Sequence, residues 1–193
     1  MRKILILLVL IGAAALVYRF VFYKKDSGPG VPALKPMEVQ GATDAFTQSM
    51  TQALGHYYQM KDALVLHNAD GASTAATQLA ASLDSLNIAS LKADSMLVVL
   101  ATSLKQTVST RSLELVKQQS LEDKRRAFQG VSDGLYDLLR TVQYKGSKVY
   151  QQYCPMAFNN TGAAWLSAEE EIVNPYFGDK MLNCGELRDS LRF

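Results

Sequence analysis

The sequence predicts an all-α protein, an up-down four-helix bundle with an irregular C-terminal lobe, preceded by an N-terminal transmembrane or signal helix. Three observations carry this reading. Apolar residues recur at spacings of three and four through most of residues 43–147; an uncharged apolar run opens the chain; and from Lys148 the helical period fades while aromatics, Gly, Pro and both Cys gather. With 193 residues, 48% of them hydrophobic, and only two Cys, the chain fits one modest domain and excludes disorder, collagen and a multi-disulfide scaffold.

The first element is the apolar run. Ile4 to Tyr18 carries no charge, and continuing through Arg19 to Tyr23 gives a segment of about 30 Å as a helix, enough to cross a bilayer if Arg19 snorkels to the headgroups. Residues 1–25 are therefore expected to be a membrane anchor, with residues 4–23 in the membrane; cleavage after the small-residue run Ala13-Ala14-Ala15 would make them a signal peptide instead. Arg2 and Lys3 form a cationic head that stays cytoplasmic. The rest of a single-pass inner-membrane protein then lies in the periplasm or outside, or is secreted to the periplasm after cleavage. Residues 26–42, with Pro29, Pro32 and Pro36 among three Gly, read as a tether.

Charge narrows the function classes. The overall balance is 20 Lys plus Arg against 18 Asp plus Glu. Arg2, Lys3, Arg19, Lys24 and Lys25 sit in the first 25 residues, which leaves 15 cations against 18 acids beyond them, a net charge of −3. Nucleic-acid binding thus lacks its counterion-release term.

The helical body spans residues 43–147. Phe46, Met50, Ala53/Leu54, Tyr57, Met60 and Leu64 mark a first helix behind Thr43 as N-cap, ending near His67. Asn68-Ala69-Asp70-Gly71 is a turn from which Asp70 caps a second helix, with Ala72, Ala75/Ala76, Leu79, Leu83 and Leu86 on its inner face. Leu97, Leu100/Ala101, Leu104, Val108 and Leu115 mark a third helix from Asp94. Phe128, Val131, Leu135, Leu138 and Val142 mark a fourth, opened by Ser120 with Asp123 as a loose capping box. Lys124-Arg125-Arg126 reads as a solvated face.

Catalytic chemistry finds no motif. No Glu-x-x-His pair is present, and His56 and His67 lie too far apart along one helix to share an ion, so both read as surface or boundary residues. Gly-x-Ser-x-Gly and a phosphate-cradling Gly loop are absent too. No enzyme is expected.

The lobe, residues 148–193, holds the chemistry that remains. Cys154-Pro155-Met156 and Met181-Leu182-Asn183-Cys184 place a thiol and a thioether at either end of a segment of about thirty residues. Such a soft sulfur set suits Cu(I), with Cys154, Met156, Met181 and Cys184 as ligands; zinc asks for more Cys and His. The alternative is a disulfide between Cys154 and Cys184, with the Met residues as ordinary hydrophobes. Trp165, Tyr176 and Phe177 are expected to pack the lobe on the bundle, Asn174-Pro175 to start a turn, and Glu169-Glu170-Glu171 behind Ser167 to open a short helix.

The stretches YCPMAFNNTGAAWLS and EIVNPYFGDKMLNCGEL, with HYYQMKDALVLHNADGASTAATQLAASL and DKRRAFQGVSDGLYDLL in the helices, resemble a bacterial family of exported proteins of unknown function. That family occurs alone or fused C-terminally to periplasmic adaptor subunits of heavy-metal (copper) efflux pumps. The resemblance covers about residues 45–187. It implies heavy-metal handling, an efflux adaptor or pump as partner, and Cys154 and Met156 as ligands with Met181 and Cys184 beside them. Short metal-binding domains of such systems place a His after Cys-Pro-Met; Ala157 stands there in this chain. That departure removes a nitrogen ligand and leaves Cu(I) favoured over Cu(II) or zinc.

Overall fold

The computed structural model describes residues 43–193. The anchor or signal expectation for residues 1–25 and the tether expectation for 26–42 lie outside the described residues. Among the described residues no helix is long and apolar enough to cross a membrane.

Four long helices form in chain order: α1 (Asp44–Val65), α2 (Ala69–Ser85), α3 (Ser95–Lys117) and α4 (Leu121–Thr141). Each starts where a polar side chain can satisfy an orphan backbone N–H. Thr43 Oγ1 accepts from the Phe46 N–H at 3.2 Å, Asp94 Oδ1 from Met96 at 2.8 Å, and Ser120 Oγ from Asp123 at 3.0 Å while its own hydroxyl donates to Asp123 Oδ2 at 2.6 Å. The cap of α2 corrects the sequence reading: it is Asn68, whose Oδ1 accepts from the Gly71 N–H at 2.8 Å, and Asp70 lies inside the helix. Gly71 makes the close approach possible, since a Cβ there would come within 2.6 Å of the Asn68 amide.

Successive helices pack on one another, and the predicted stripes supply the core: Phe46, Met50, Leu54, Tyr57, Met60 and Leu64 from α1 meet Leu79, Leu83, Leu115, Phe128, Leu135 and Leu138. Leu100 departs from its stripe. It is 43% exposed, and the smaller Ala101 takes the buried position on α3. The start of α4 closes over the ends of α1 and α3: Arg125 Nη2 donates to Leu64 O at 2.9 Å, and Lys124 Nζ donates to Ser73 Oγ, Leu115 O and Val116 O at 2.8, 3.3 and 3.3 Å. Cations on carbonyls at helix C-termini complement the macrodipole. Lys124 and Arg125 are consequently buried, which corrects the expectation of a solvated face; only Arg126 of the three remains exposed.

The lobe is not irregular. It contains a three-stranded antiparallel sheet in the order β2-β1-β3, formed by β1 (Val149–Cys154), β2 (Ala163–Ser167) and β3 (Glu186–Leu191). β1 pairs with β2 from Tyr150↔Ser167 to Cys154↔Ala163, and with β3 through Val149↔Leu191 and Tyr153↔Glu186 around a register shift at Gln151/Gln152. β2 is buried along its whole length and packs on α4, whereas β3 is a charged, exposed edge strand of the kind that resists further pairing. The expected helix start at Glu169-Glu170-Glu171 is also absent. That segment bends so that three successive carbonyls, of Glu169, Glu170 and Glu171, accept from the Nε2 of the buried Gln152 at 3.0, 3.0 and 2.9 Å.

Tyr57 joins bundle and sheet. Its hydroxyl lies 2.7 Å from Ser132 Oγ on α4 and accepts from the Leu166 N–H of β2 at 2.9 Å, while its ring stacks on Phe128 at 5.2 Å. Complete burial pushes the phenol pKa far above its ordinary range, so it stays a neutral hydrogen-bonding group. Tyr58, beside it in the chain, is half-buried at the boundary.

Candidate functional site

The fold brings the two cysteines together from opposite ends of the lobe. Cys154 is the last residue of β1 and is fully buried; Cys184 precedes β3 and is half-buried. Their Sγ atoms lie 3.1 Å apart and both are free thiols. The neighbouring Cys154 thiol, and to a lesser degree burial, raises the Cys184 pKa. An oxidant that takes two electrons and two protons from the pair would close it to a disulfide of about 2.05 Å. A shift outward admits an ion: tetrahedral zinc at about 2.3 Å from each sulfur would hold them about 3.8 Å apart.

The backbone around each thiol explains why they meet. After Cys154, residues Ala157–Asn160 make a tight turn in which Phe158, Asn159 and Asn160 all have positive φ (51°, 59° and 66°). Left-handed backbone is tolerated by Asn but uncommon for Phe, and Phe158 is kept there by its contacts with Tyr176 (5.2 Å between ring centroids) and with the Arg126 guanidinium (4.7 Å). Before Cys184, the short 3-10 turn Gly178–Met181 brings the Cys184 N–H onto Met181 O at 3.0 Å. At Gly185, φ is 154° and a Cβ would meet Trp165 Cη2 at 2.9 Å and Tyr153 O at 3.0 Å, so glycine lets the chain pass the indole.

Asn174 enters the turn at Pro175–Phe177 as expected, and it also holds this half of the site, a role the sequence reading did not name. It is fully buried; its Nδ2 donates to Cys184 O at 2.7 Å, and its Oδ1 accepts from the Tyr176 and Phe177 N–H groups at 2.8 and 3.4 Å. Its own N–H donates to Leu182 O at 2.8 Å. An Asn followed by Pro and two aromatics is the only signal that pointed there.

The two methionines flank the thiols in the chain. Met156 lies two residues beyond Cys154 and is 47% exposed; Met181 ends the 3-10 turn and is half-buried. Neither is a core hydrophobe. Among the described residues no group of three or more His, Cys, Asp and Glu converges. His56 turns to Gln59 at 3.3 Å, and His67 Nε2 pairs with Asp179 Oδ1 at 2.8 Å, a hydrogen bond that lowers the Asp179 pKa. Trp165 and Tyr176 are buried in the core cluster shared by lobe and bundle. Tyr176 O–H donates to Ala164 O at 2.5 Å and its ring reaches Phe128 at 6.0 Å and Trp165 at 5.9 Å; Phe177 is half-buried at the edge.

The geometry defines a four-helix domain carrying a small sheet in which two thiols are held in contact. Residues 53–146 match a family described as a protein of unknown function (DUF3347), so a domain of that family runs from the third turn of α1 to just past α4. The match stops before β1, and both cysteines lie beyond it. No curated protein and no solved structure matches the chain.

Proposed function

We propose that this protein is an exported, membrane-anchored metal-handling protein that binds Cu(I), or a related soft ion, through the thiolates of Cys154 and Cys184, with Met156 and Met181 as thioether ligands. The observation that carries the reading is the 3.1 Å approach of two free thiols. The donor chemistry supports copper: two thiols and two accessible thioethers, with no imidazole or carboxylate cluster among the described residues, suit a soft monovalent ion better than zinc. The protein would hold the ion for an efflux or resistance system, with a heavy-metal efflux adaptor or pump as partner and residues 4–23 as its membrane attachment. No turnover is involved.

A second reading rests on the same pair. Complete burial of Cys154 at sulfur contact distance favours a disulfide in an oxidising compartment, which would make the lobe a closed, non-catalytic interaction module of the cell envelope. Competition titration of the reduced full chain with Cu(I) and a chelator separates the two. The copper reading expects a tight one-to-one complex that Cys184→Ser abolishes and that Met156→Leu with Met181→Leu weakens while helix content stays intact. A complex unaffected by either change contradicts it.

A further inference from the structure

A second candidate site does not include the thiols among its lining residues. Where the start of α4 meets the lobe, a cavity of about 250 Å³ is lined by Glu122, Arg125, Phe158, Tyr176, Phe177 and Lys180. Arg125 is only 6% exposed and forms no ion pair among the described residues. Its Nη2 is committed to Leu64 O, and its Nε is buried with no acceptor at all. A buried guanidinium is costly unless an anion compensates it.

Glu122 and Asp179 act on Arg125 through space, but each makes its close pair with another basic side chain. Glu122 pairs with Arg126 at 3.8 Å and Asp179 with His67 at 2.8 Å. Lys180, on the same wall, also has no ion-pair partner among the described residues. The remaining wall is aromatic. Two cations without a close ion-pair partner among the described residues, beside three aromatic rings, suit an anion that carries an apolar body. The planar fork of Arg matches a carboxylate, and the cavity lies below the range of about 300–1,000 Å³ occupied by drug-sized ligands. A compact dianion such as phosphate would leave the rings unfilled and would meet the Glu122 carboxylate with twice the charge.

We propose that this cavity binds a small organic carboxylate, its oxygens at Arg125 and Lys180 and its apolar body against Phe158, Tyr176 and Phe177. The test is calorimetric titration of the full chain, at constant ionic strength, with benzoate, its neutral isostere benzamide, and inorganic phosphate. Benzoate is expected to bind saturably at one site, and phosphate and benzamide far more weakly. Lys180→Gln, which removes no internal hydrogen bond, is expected to weaken benzoate about tenfold, the worth of one charge-assisted contact. Phe177→Ala should weaken benzoate and leave phosphate unchanged. No saturation with benzoate, equal binding of benzamide or phosphate, or an unaltered Lys180→Gln affinity would each overturn the proposal.

Discussion

Replacing Asn174 by Ala tests whether one buried amide holds the second thiol in place. The substitution removes the 2.7 Å bond to Cys184 O and the 2.8 Å bond from the Tyr176 N–H, together with the longer 3.4 Å contact to Phe177. It also leaves the half-buried Cys184 carbonyl and the buried Tyr176 N–H without these partners. At about 1 kcal/mol for each hydrogen bond, and more for orphaned groups, the loss is about 3 kcal/mol. A domain of this size loses about 2–4 °C per kcal/mol, so the melting temperature of the reduced protein should fall by about 6–12 °C in far-ultraviolet circular dichroism. Because the same bond positions Cys184, diamide-driven closure of the Cys154–Cys184 pair should slow as well. A variant that melts within about 1 °C of the parent and closes its thiols at the parent rate would refute this role for Asn174.

Three other outcomes follow from the packing. Tyr57→Phe leaves the Leu166 N–H unpaired in the core and should destabilise by about 1–3 kcal/mol, measured by urea denaturation. Gly185→Ala drives a methyl into Trp165 and the Tyr153 carbonyl at an unfavourable φ and should cost about 1–3 kcal/mol, with a change in Trp165 fluorescence as its local signature. The hydrogen bond from His67 holds the Asp179 carboxyl below its ordinary range, so its contribution is present above the unfolded carboxyl value of about 4 and is lost as pH falls through the lower folded value. Asp179→Asn should therefore flatten the acid limb of the stability profile, and an identical acid limb in the variant contradicts the assignment.

The helices were legible because their signals are local and repeated. Thr43, Asp94 and Ser120 cap where the sequence places them, and period 3.6 names most of the core. At α2 two adjacent candidates competed, and Asn68 won because Gly71 lets its side chain reach the backbone. The sheet was hidden because its strands are short and break the alternation: β2 is buried on both faces, β1 hides a Gln in the core, and β3 is exposed over most of its length. Lys124 and Arg125 misled because their charges end on helix-terminal carbonyls, a destination fixed only by how α4 crosses α1 and α3. Of the candidate site, both sequence readings, metal ligation and disulfide, named Cys154 and Cys184, and the structure places these two thiols side by side. The dependence of that pair on Asn174 was not legible, since it joins residues through a hydrogen bond that no spacing rule predicts.

The central claim is that the two thiols bind a soft ion with sulfur alone. X-ray absorption at the copper edge on the full chain loaded with one equivalent of Cu(I) under reducing conditions tests it most directly. The account predicts a first coordination shell made only of sulfur, lost in Cys184→Ser. Nitrogen or oxygen neighbours, or copper that leaves the protein on desalting, would contradict it.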